Sequence, residues 1–333
     1  MKDLTARAGC DAAQFIGGRE DEVVFTRIQN DATRIAYLAG NQLYGRVLRL
    51  LTQDLPRLGF TATLVDAGDA KAVAAAIRPE TRLLLVEVVA NPTLRVADVK
   101  GIATLARERG IPFVVDNTFT TPRAFRPFDH GADVVVHSVT KLLAGHSDAT
   151  LGFAAARDAA RQKAIYDAVV TWGLNASPFD CWLAERGLNT FDLRFERAQA
   201  NAKALAGHLR GLKGVKRVLY PGEDDHPDRD LARDLLGGNG SHMVSFELAT
   251  DRPGVNRFLR AAANIAFAPT LGDVATTVSH PPSSSHRALS EAERARLGIS
   301  EGFIRVSVGI EDIELLKREF AAAVAAVAAV AAV

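Results

Sequence analysis

From about residue 46 to residue 138 the chain alternates between stretches with apolar residues at helical spacing and short apolar runs. The helical stretches span residues 45–59, 69–79 and 96–110. The apolar runs span residues 61–66, 82–89, 111–117 and 132–138. Continuous apolar runs are typical of strands covered on both faces. Their alternation with helices predicts an α/β domain with a mostly parallel sheet.

After about residue 155 the predicted strands contain more polar positions. Strands are predicted over residues 214–222, 242–250 and 302–309. Helices are predicted over residues 191–212, 251–265 and 311–320. A Pro/Ser-rich loop enters another helix at Ser290, where Glu293 completes a capping box. Strands without continuous apolar runs indicate a smaller α+β domain whose sheet is open to solvent on one face.

Composition excludes several classes of partner and site. A chain of 333 residues suggests two domains, and its net charge of +1 favours neither nucleic acid nor an anionic membrane as partner. The two cysteines, Cys10 and Cys181, predict neither a disulfide framework nor a zinc site. We expect no signal peptide and a cytoplasmic protein. The Ala/Val-rich residues 321–333 are too few to span a bilayer and are expected either to continue the last helix or to be a tail without function.

Polar side chains stand where the predicted strands end, and a lysine follows the last of them: Glu87, Asp116, His137, Ser138 and then Lys141. Sheets of this class bind ligands at the carboxyl ends of their strands. A lysine that forms an imine with an aldehyde and an aspartate that keeps a pyridine nitrogen protonated are what pyridoxal phosphate (PLP) requires. On the residues alone, two alternatives stay open: loop-capping acids, and a lysine that extends its amine to solvent.

Several segments, in the same order, resemble the Cys/Met-metabolism (transsulfuration) family of PLP-dependent enzymes. VVDNTFTTP is followed by GADVVVHSVTKLLAGHSD, and the other matching segments are FTRIQNDAT, NQLYGRVLRLL, VEVVANPTLRVAD, SPFDCWLAERGLNT, LYPG and FIRVSVGIEDIELL. The resemblance implies an aspartate-aminotransferase-type large domain plus a smaller C-terminal α+β domain. It places an N-terminal segment contacting a neighbouring subunit at 1–40, the PLP-binding domain at 41–185 and the C-terminal domain at 186–330. It also implies a homotetramer, a dimer of dimers.

The same resemblance assigns roles around the cofactor. Lys141 aligns with the lysine that bonds covalently to PLP and moves protons during the reaction. Asp116 aligns with the partner of the pyridine nitrogen, and Tyr44 with a catalytic tyrosine that stacks on the ring. Ser138 and Thr140 align with hydroxyls that bind the phosphate. Tyr44 is also a candidate core aromatic.

Further residues align with the substrate and subunit contacts of the family. Arg305 aligns with an arginine that holds the substrate α-carboxylate, and Asn91 with an asparagine near that carboxylate and the cofactor. Thr270 takes the place of a serine at the same carboxylate. Arg27 aligns with an arginine that reaches the phosphate of the adjacent subunit. The alternatives are a turn residue for Asn91 and an exposed strand arginine for Arg305.

The family resemblance predicts elimination or replacement at Cβ or Cγ of a sulfur-containing or homoserine-derived amino acid. The first choice is γ-replacement, of the cystathionine γ-synthase or homoserine-ester sulfhydrylase type. Cystathionine β- or γ-lyase and methionine γ-lyase are the alternatives, although Arg46 stands where a methionine γ-lyase has cysteine. No metal is expected, because the spacing of His137, His146 and His280 matches no ligand pattern.

Two departures from the family concern the cofactor phosphate. Phe25 stands where the family has a tyrosine, which removes a phosphate-binding hydroxyl. Residues 26–45 pass almost directly from the N-terminal segment to the Tyr44 segment. The Ser-Gly-Met turn, whose backbone N–H groups bind the phosphate in the family, is missing. A non-catalytic paralogue with a degraded phosphate site is therefore a further alternative.

Overall fold

The structure is a computed structural model that describes residues 23–26, 38–58, 60–287 and 289–328. The chain divides into two compact units. Among these residues, the first unit holds those up to Ala90 together with Arg95–Asp192, and the second holds Asn91–Leu94 and those from Leu193 onward. The boundary predicted after residue 185 falls inside a helix, Pro178–Leu188. Arg27 and most of the predicted segment 1–40 lie outside the described residues.

A seven-stranded sheet with the order β1-β7-β6-β5-β4-β2-β3 forms the centre of the first unit. Its strands are β1 Val23–Thr26, β2 Leu38–Gly40, β3 Thr63–Val65, β4 Leu84–Glu87, β5 Phe113–Asp116, β6 Val134–Ser138 and β7 Gly152–Ala156. Strands β2 to β6 pair in parallel, whereas β7 runs antiparallel to both β6 and β1. Every residue of β5 and β6 is buried. The prediction of a mostly parallel sheet covered on both faces is confirmed.

The helices of the first unit begin where the sequence supplies caps. They are α1 Gly45–Arg49, α2 Ala70–Ala76, α3 Val99–Arg109, α4 Thr121–Ala124, α5 Ala159–Thr171 and α6 Pro178–Leu188. The carboxylates of Asp69, Asp98 and Asp158 accept backbone N–H groups in the first turns of α2, α3 and α5. Helix α1 continues as a π-helix over Leu50–Asp54 and a 3₁₀ helix over Leu55–Leu58, so the predicted helix over 45–59 is present with mixed geometry.

The second unit contains a five-stranded sheet with the order β10-β11-β12-β9-β8. Its strands are β8 Val215–Leu219, β9 Met243–Leu248, β10 Ala266–Phe267, β11 Thr277–Ser279 and β12 Phe303–Ser307. Its helices are α7 Phe191–Arg210, α8 Arg229–Leu236, α9 Arg252–Ala261, α10 Glu291–Arg296 and α11 Ile313–Ala328. The capping box is confirmed, since Ser290 and Glu293 bond to each other's backbone N–H groups at the start of α10.

The prediction of an open-faced sheet in the second unit is wrong for its central strands. Every residue of β9 and β12 is buried. The polar positions that suggested solvent exposure are buried with hydrogen-bond partners instead. Ser245, Arg305 and Ser307 bond to Pro92, Asn91 and Gly272, respectively. Buried polar groups of this kind need specific partners, which alternation along a strand does not reveal.

Aromatic and aliphatic side chains form the core of the second unit. Phe246 of β9 packs edge-on against Phe258 of α9 and Phe320 of α11, with ring centroids 5.7 and 6.3 Å apart. Helix α11 continues into the Ala/Val-rich end as far as Ala328, as predicted. Among the described residues, no helix is both long and apolar enough to cross a membrane.

Candidate active site

The carboxyl ends of β5 and β6 bring three polar residues into one hydrogen-bonded chain. The backbone N–H of Thr118 donates to Asp116 Oδ1 at 2.9 Å, and the backbone N–H of Ser138 donates to Thr118 Oγ1 at 3.0 Å. Asp116 is 4 % exposed. Parallel pairing of β5 with β6 sets this geometry, because Asp116 lies opposite Val136 in the register. Two of the predicted site residues, Asp116 and Ser138, are thus joined through Thr118.

Burial makes the Asp116 carboxyl a weaker acid than a solvent-exposed aspartate. Desolvation raises the pKa of its carboxyl from 3.8 to about 6, although hydrogen bonds from Thr118 partly oppose the shift. The ionised carboxylate is therefore poorly stabilised by the protein alone. A cation placed beside it would lower this pKa and be held by it.

Replacing Asp116 by asparagine is expected to stabilise the cofactor-free protein at neutral pH. A folded-state pKa of about 6, above the unfolded value of 3.8, means that stability is lost as pH rises through this window. Above pH 6 this shift lowers the free energy of unfolding of the wild type by about 3 kcal/mol. The asparagine amide carries no charge, and its oxygen can still accept the Thr118 N–H. Urea unfolding at pH 8 and near pH 4 measures the effect. Most of the gain should be lost at the lower pH.

The exposed Asp129 is the control for this substitution, and Asp129→Asn should change the free energy of unfolding little at either pH. A variant Asp116→Asn that is less stable than wild type at pH 8 would show that burial does not penalise the carboxylate.

Lys141 lies in a tight turn directly after β6. Its backbone N–H donates to Ser138 O at 3.2 Å, and its own carbonyl accepts the N–H of Gly145 at 2.8 Å. Helix α6 packs closely on this turn, since a Cβ on Gly187 would lie 2.4 Å from the carbonyl oxygen of Ala144. The turn that carries Lys141 is therefore fixed at both ends and from one side.

The two predicted phosphate-binding hydroxyls differ in their surroundings. Among the described residues, the Ser138 hydroxyl has no hydrogen-bond partner. Thr140 Oγ1 accepts the N–H of Leu151 at 2.9 Å and lies 3.1 Å from its carbonyl oxygen. That carbonyl also accepts the Thr140 backbone N–H at 3.0 Å, so the hydroxyl proton can turn to another acceptor at little cost. Both hydroxyls fit an anion, whereas Arg27 lies outside the described residues.

Glu87 positions Tyr44. The backbone N–H of Tyr44 donates to Glu87 Oε1 at 2.6 Å, so the acid at the end of β4 anchors the residue before α1. The Tyr44 side chain packs against the apolar core of the first unit. The neighbouring cavity has a volume of about 20 Å³ and its lining includes Asp66, Glu87 and Arg95. A cavity of this size has room for about one water and is too small for a phosphate.

The second unit assembles the residues predicted at the substrate carboxylate. Arg305 Nη1 donates to Asn91 Oδ1 at 2.9 Å, and Nη2 donates to the backbone carbonyl of Thr270 at 2.8 Å. Arg305 is 4 % exposed and Asn91 is 3 % exposed. Arg305 is therefore buried, and the alternative of an exposed strand arginine is wrong. Thr270 contributes its main chain to this contact.

Two buried histidines near Arg305 are neutral at physiological pH. Desolvation, with a smaller contribution from the positive charge of Arg305, lowers the pKa of His242 to about 3 and that of His286 to about 4. A neutral imidazole adds no charge to the cluster. The positive charge offered to an anion there is that of the guanidinium.

The histidines considered for a metal site have other environments. His137 is buried and stacks on Phe153 with ring centroids 5.5 Å apart. His146 Nδ1 is 2.8 Å from Ala144 O, and His280 Nε2 is 2.8 Å from Glu301 O. Within residues 38–58, 60–287 and 289–328, no group of three His, Cys, Asp or Glu side chains is placed to hold a metal ion.

Comparison with known proteins identifies the family of this site. The family model for Cys/Met metabolism PLP-dependent enzymes matches residues 19–325. The chain belongs to this family. Its members are PLP-dependent lyases and transferases of sulfur amino-acid metabolism, and the resemblance inferred from the sequence motifs is confirmed.

Relatives within the family carry out different reactions. The chain is 38 % identical to cystathionine β-lyase MetC of Bacillus subtilis (strain 168), over 88 % of this chain and 75 % of that protein. It is 39 % identical to L-methionine γ-lyase of Pseudomonas putida, over 83 % of this chain and 70 % of that protein.

A solved structure of cystathionine γ-synthase from Xanthomonas oryzae pv. oryzae, in complex with cystathionine, superposes with a TM-score of 0.92 at 34 % identity. The alignment covers 98 % of this chain and 86 % of that chain. The predicted fold class is confirmed.

The residues of the first unit fit the cofactor of this family. The buried Asp116 carboxylate needs a cationic partner, which a protonated pyridine nitrogen supplies. The hydroxyls of Ser138 and Thr140 suit phosphate oxygens, and Lys141 follows them on a fixed turn.

Sequence reasoning missed the roles of Thr118 and Glu87. An aspartate whose side chain accepts the N–H two residues later is a known turn pattern, so VVDNT contained a local signal for Thr118. Nothing in the sequence near Glu87 signals its bond to Tyr44, 43 residues away.

Proposed function

We propose that this enzyme catalyses γ-replacement on a homoserine-derived L-amino acid, as cystathionine γ-synthase or a homoserine-ester sulfhydrylase does. The observation that supports an α-amino-acid substrate is the buried Arg305, whose guanidinium is oriented by Asn91 and Thr270. A planar guanidinium held in this way suits a bidentate contact with an α-carboxylate. Similarity to the cystathionine γ-synthase from Xanthomonas oryzae supports the γ-synthase type.

The first unit would supply proton transfer and cofactor contacts. Bound PLP supplies an electron sink for negative charge at the substrate Cα. Asp116 would keep the ring nitrogen protonated, and Ser138 and Thr140 would hold the phosphate together with Arg27 of an adjacent subunit. Lys141 would take and return protons as a neutral amine, and Tyr44 would assist this proton transfer.

The second unit would bind the substrate. Arg305 holds the α-carboxylate, and Asn91 fixes the guanidinium through the hydrogen bond at 2.9 Å. The Thr270 carbonyl orients the other side of the guanidinium. Because this guanidinium would bind the α-carboxylate, substrates without an α-carboxylate should be rejected.

Arg305→Ala should impair amino-acid binding far more than cofactor binding. Loss of a charge-assisted pair costs about 2 to 4 kcal/mol, which corresponds to a KM raised roughly 30-fold to 1,000-fold. Steady-state kinetics at saturating PLP give KM, and PLP titration gives the cofactor Kd. The exposed Arg260 of α9 is the control. A collapsed cofactor affinity with an unchanged KM would require a new assignment for Arg305.

A lyase is the second candidate function. The 38 % and 39 % identities to a cystathionine β-lyase and a methionine γ-lyase favour it. Lyases and synthases of this type share the contacts to the α-carboxylate, so the residues proposed here serve either reaction.

A substrate panel tests both candidates. O-acyl-homoserines with cysteine or sulfide, cystathionine, and methionine are each incubated with enzyme and excess PLP, and keto-acid, thiol and thioether products are measured. Thioether formation from O-acyl-homoserine supports γ-replacement, whereas keto acid and thiol from cystathionine support a lyase. No turnover of any substrate by PLP-loaded protein would favour the non-catalytic paralogue.

We further propose that the enzyme is a cytoplasmic homotetramer in which Arg27 reaches the phosphate of an adjacent subunit. Large apolar side chains on the first unit support self-association, with Trp172 65 %, Phe179 64 % and Trp182 44 % exposed. Sedimentation at decreasing concentration, read together with activity, is the measurement. A fully active monomer at nanomolar concentration would contradict this assembly.

A further inference from the structure

The tetrapeptide Asn91–Leu94 is buried although it connects β4 to α3. It belongs to the second unit. Asn91, Thr93 and Leu94 are 3 %, 3 % and 0 % exposed. The residues that flank the loop are joined by a hydrogen bond from Ala90 N–H to Arg95 O at 2.8 Å. The segment is therefore a short buried loop that presents Asn91.

Two residues that lie opposite each other on neighbouring strands contact this loop. Ser245 of β9 lies directly opposite Arg305 of β12 in the antiparallel register, so both side chains point to the same face of the sheet. The Ser245 hydroxyl donates to Pro92 O at 2.7 Å, while Arg305 donates to Asn91 Oδ1 at 2.9 Å. Strand β9 thus binds the backbone of the loop, and strand β12 binds the side chain of Asn91.

The Ser245 contact is well placed to orient Asn91. Ser245 is fully buried, so water does not compete for its hydroxyl. Its acceptor is the carbonyl of Pro92, the residue next to Asn91. Fixing that carbonyl restricts the Pro92–Thr93 peptide, one residue along the chain from Asn91, and hence the direction in which the Asn91 amide oxygen points toward Arg305.

We infer that Ser245 is a positioning residue for the substrate carboxylate, acting through the loop Asn91–Leu94. This inference rests on the proposed role of Arg305 and Asn91 in substrate binding. Ser245 itself touches the loop, and its effect on the substrate passes through the orientation of the guanidinium.

A matched pair of variants tests the inference. Ser245 and Ser279 flank Arg305 on the two neighbouring strands, and both are buried. Among the described residues, only Ser245 of this pair bonds to the loop. Ser245→Ala should raise KM for the amino-acid substrate about tenfold with kcat and PLP affinity little changed, whereas Ser279→Ala should leave all of them near wild type.

Hydrogen–deuterium exchange on the cofactor-free protein gives a readout that does not depend on activity. Ser245→Ala should speed exchange in the peptide covering residues 88–97, and Ser279→Ala should not. Ser245→Thr, which keeps a hydroxyl, should preserve protection. If Ser245→Ala does not fold, Ser245→Cys keeps the branching of the side chain with a larger atom that is only a weak donor, and it should give the same result.

The outcomes separate the inference from the proposed function. Unchanged exchange and unchanged KM in Ser245→Ala would overturn the inference, as would faster exchange with an unchanged KM. If wild type binds no amino acid while Ser245→Ala still loosens residues 88–97, the proposed function fails but the anchoring of the loop stands.

Discussion

Replacing Lys141 by alanine is expected to lower turnover by about three orders of magnitude or more while the fold is retained. Acid–base transfer by a positioned side chain contributes about 10²- to 10⁴-fold, and loss of a covalent cofactor link adds to this. The turn that holds Lys141 is fixed by backbone bonds to Ser138 and Gly145 and by the close approach of Gly187, none of which needs the amine. Steady-state assays at saturating PLP and circular dichroism measure the two effects.

Two further lysine variants make this test specific. Lys141→Arg keeps the positive charge but cannot be deprotonated, so it should be as inactive as the alanine variant. Lys163 is exposed on α5 and pairs with Asp167 at 2.6 Å, so Lys163→Ala should retain full turnover. Wild-type turnover by Lys141→Ala would remove the lysine from the chemistry.

We expect this protein to bind PLP several orders of magnitude more weakly than a protein with a complete phosphate site would. The chain keeps Ser138 and Thr140, but Phe25 removes a hydroxyl, and the Ser-Gly-Met turn expected from the family resemblance is missing. Each lost hydrogen bond to a charged group costs about 1.5 to 3 kcal/mol, and about 1.4 kcal/mol is tenfold in Kd. We therefore expect protein purified without added PLP to be largely cofactor-free.

Comparing PLP with pyridoxal isolates the phosphate contribution. Both are titrated into cofactor-free protein by absorbance, and borohydride reduction followed by peptide mapping shows whether Lys141 is the residue modified. A degraded phosphate site that keeps only Ser138 and Thr140 predicts a preference for PLP over pyridoxal of at most about 10²-fold to 10⁴-fold, the value of two hydrogen bonds to a charged group. Ser138→Ala should reduce the difference between the PLP and pyridoxal affinities further.

Submicromolar PLP affinity with a large preference over pyridoxal would contradict this expectation. The residues just before Tyr44 would be the first alternative source of N–H donors. Asn41 N–H, however, already donates to Val65 O at 2.7 Å, and the adjacent cavity is too small for a phosphate.

The sequence predicted the central strands well because their burial is encoded locally. β4, β5 and β6 are continuous apolar runs, which suits strands covered on both faces. It missed β7, whose residues Gly152–Ala156 are mostly small and have low strand propensity. It also missed β2, a short strand that inserts between β3 and β4. Both strands depend on tertiary pairing, which a local pattern does not contain.

The candidate site also contains residues that the sequence could predict and contacts that it could not. Asp116, Ser138 and Lys141 could be singled out because each follows an apolar run at the end of a strand. The contacts that orient the site join distant parts of the chain. Ser245 and Pro92 are 153 residues apart, and Arg305 and Asn91 are 214 apart. No spacing rule within one sequence predicts such pairs.

The antiparallel pairing of β1 with β7 affects how the protein is made. Thr26 pairs with Gly152, so β1 leaves the ribosome long before its partner strand exists. At roughly 5 to 20 residues per second, the nascent chain carries VVFT without that partner for on the order of ten seconds. An unpaired apolar strand is a template for association with other chains. Yield of the native protein should therefore depend on translation speed and on chaperones that cover the N-terminal strand.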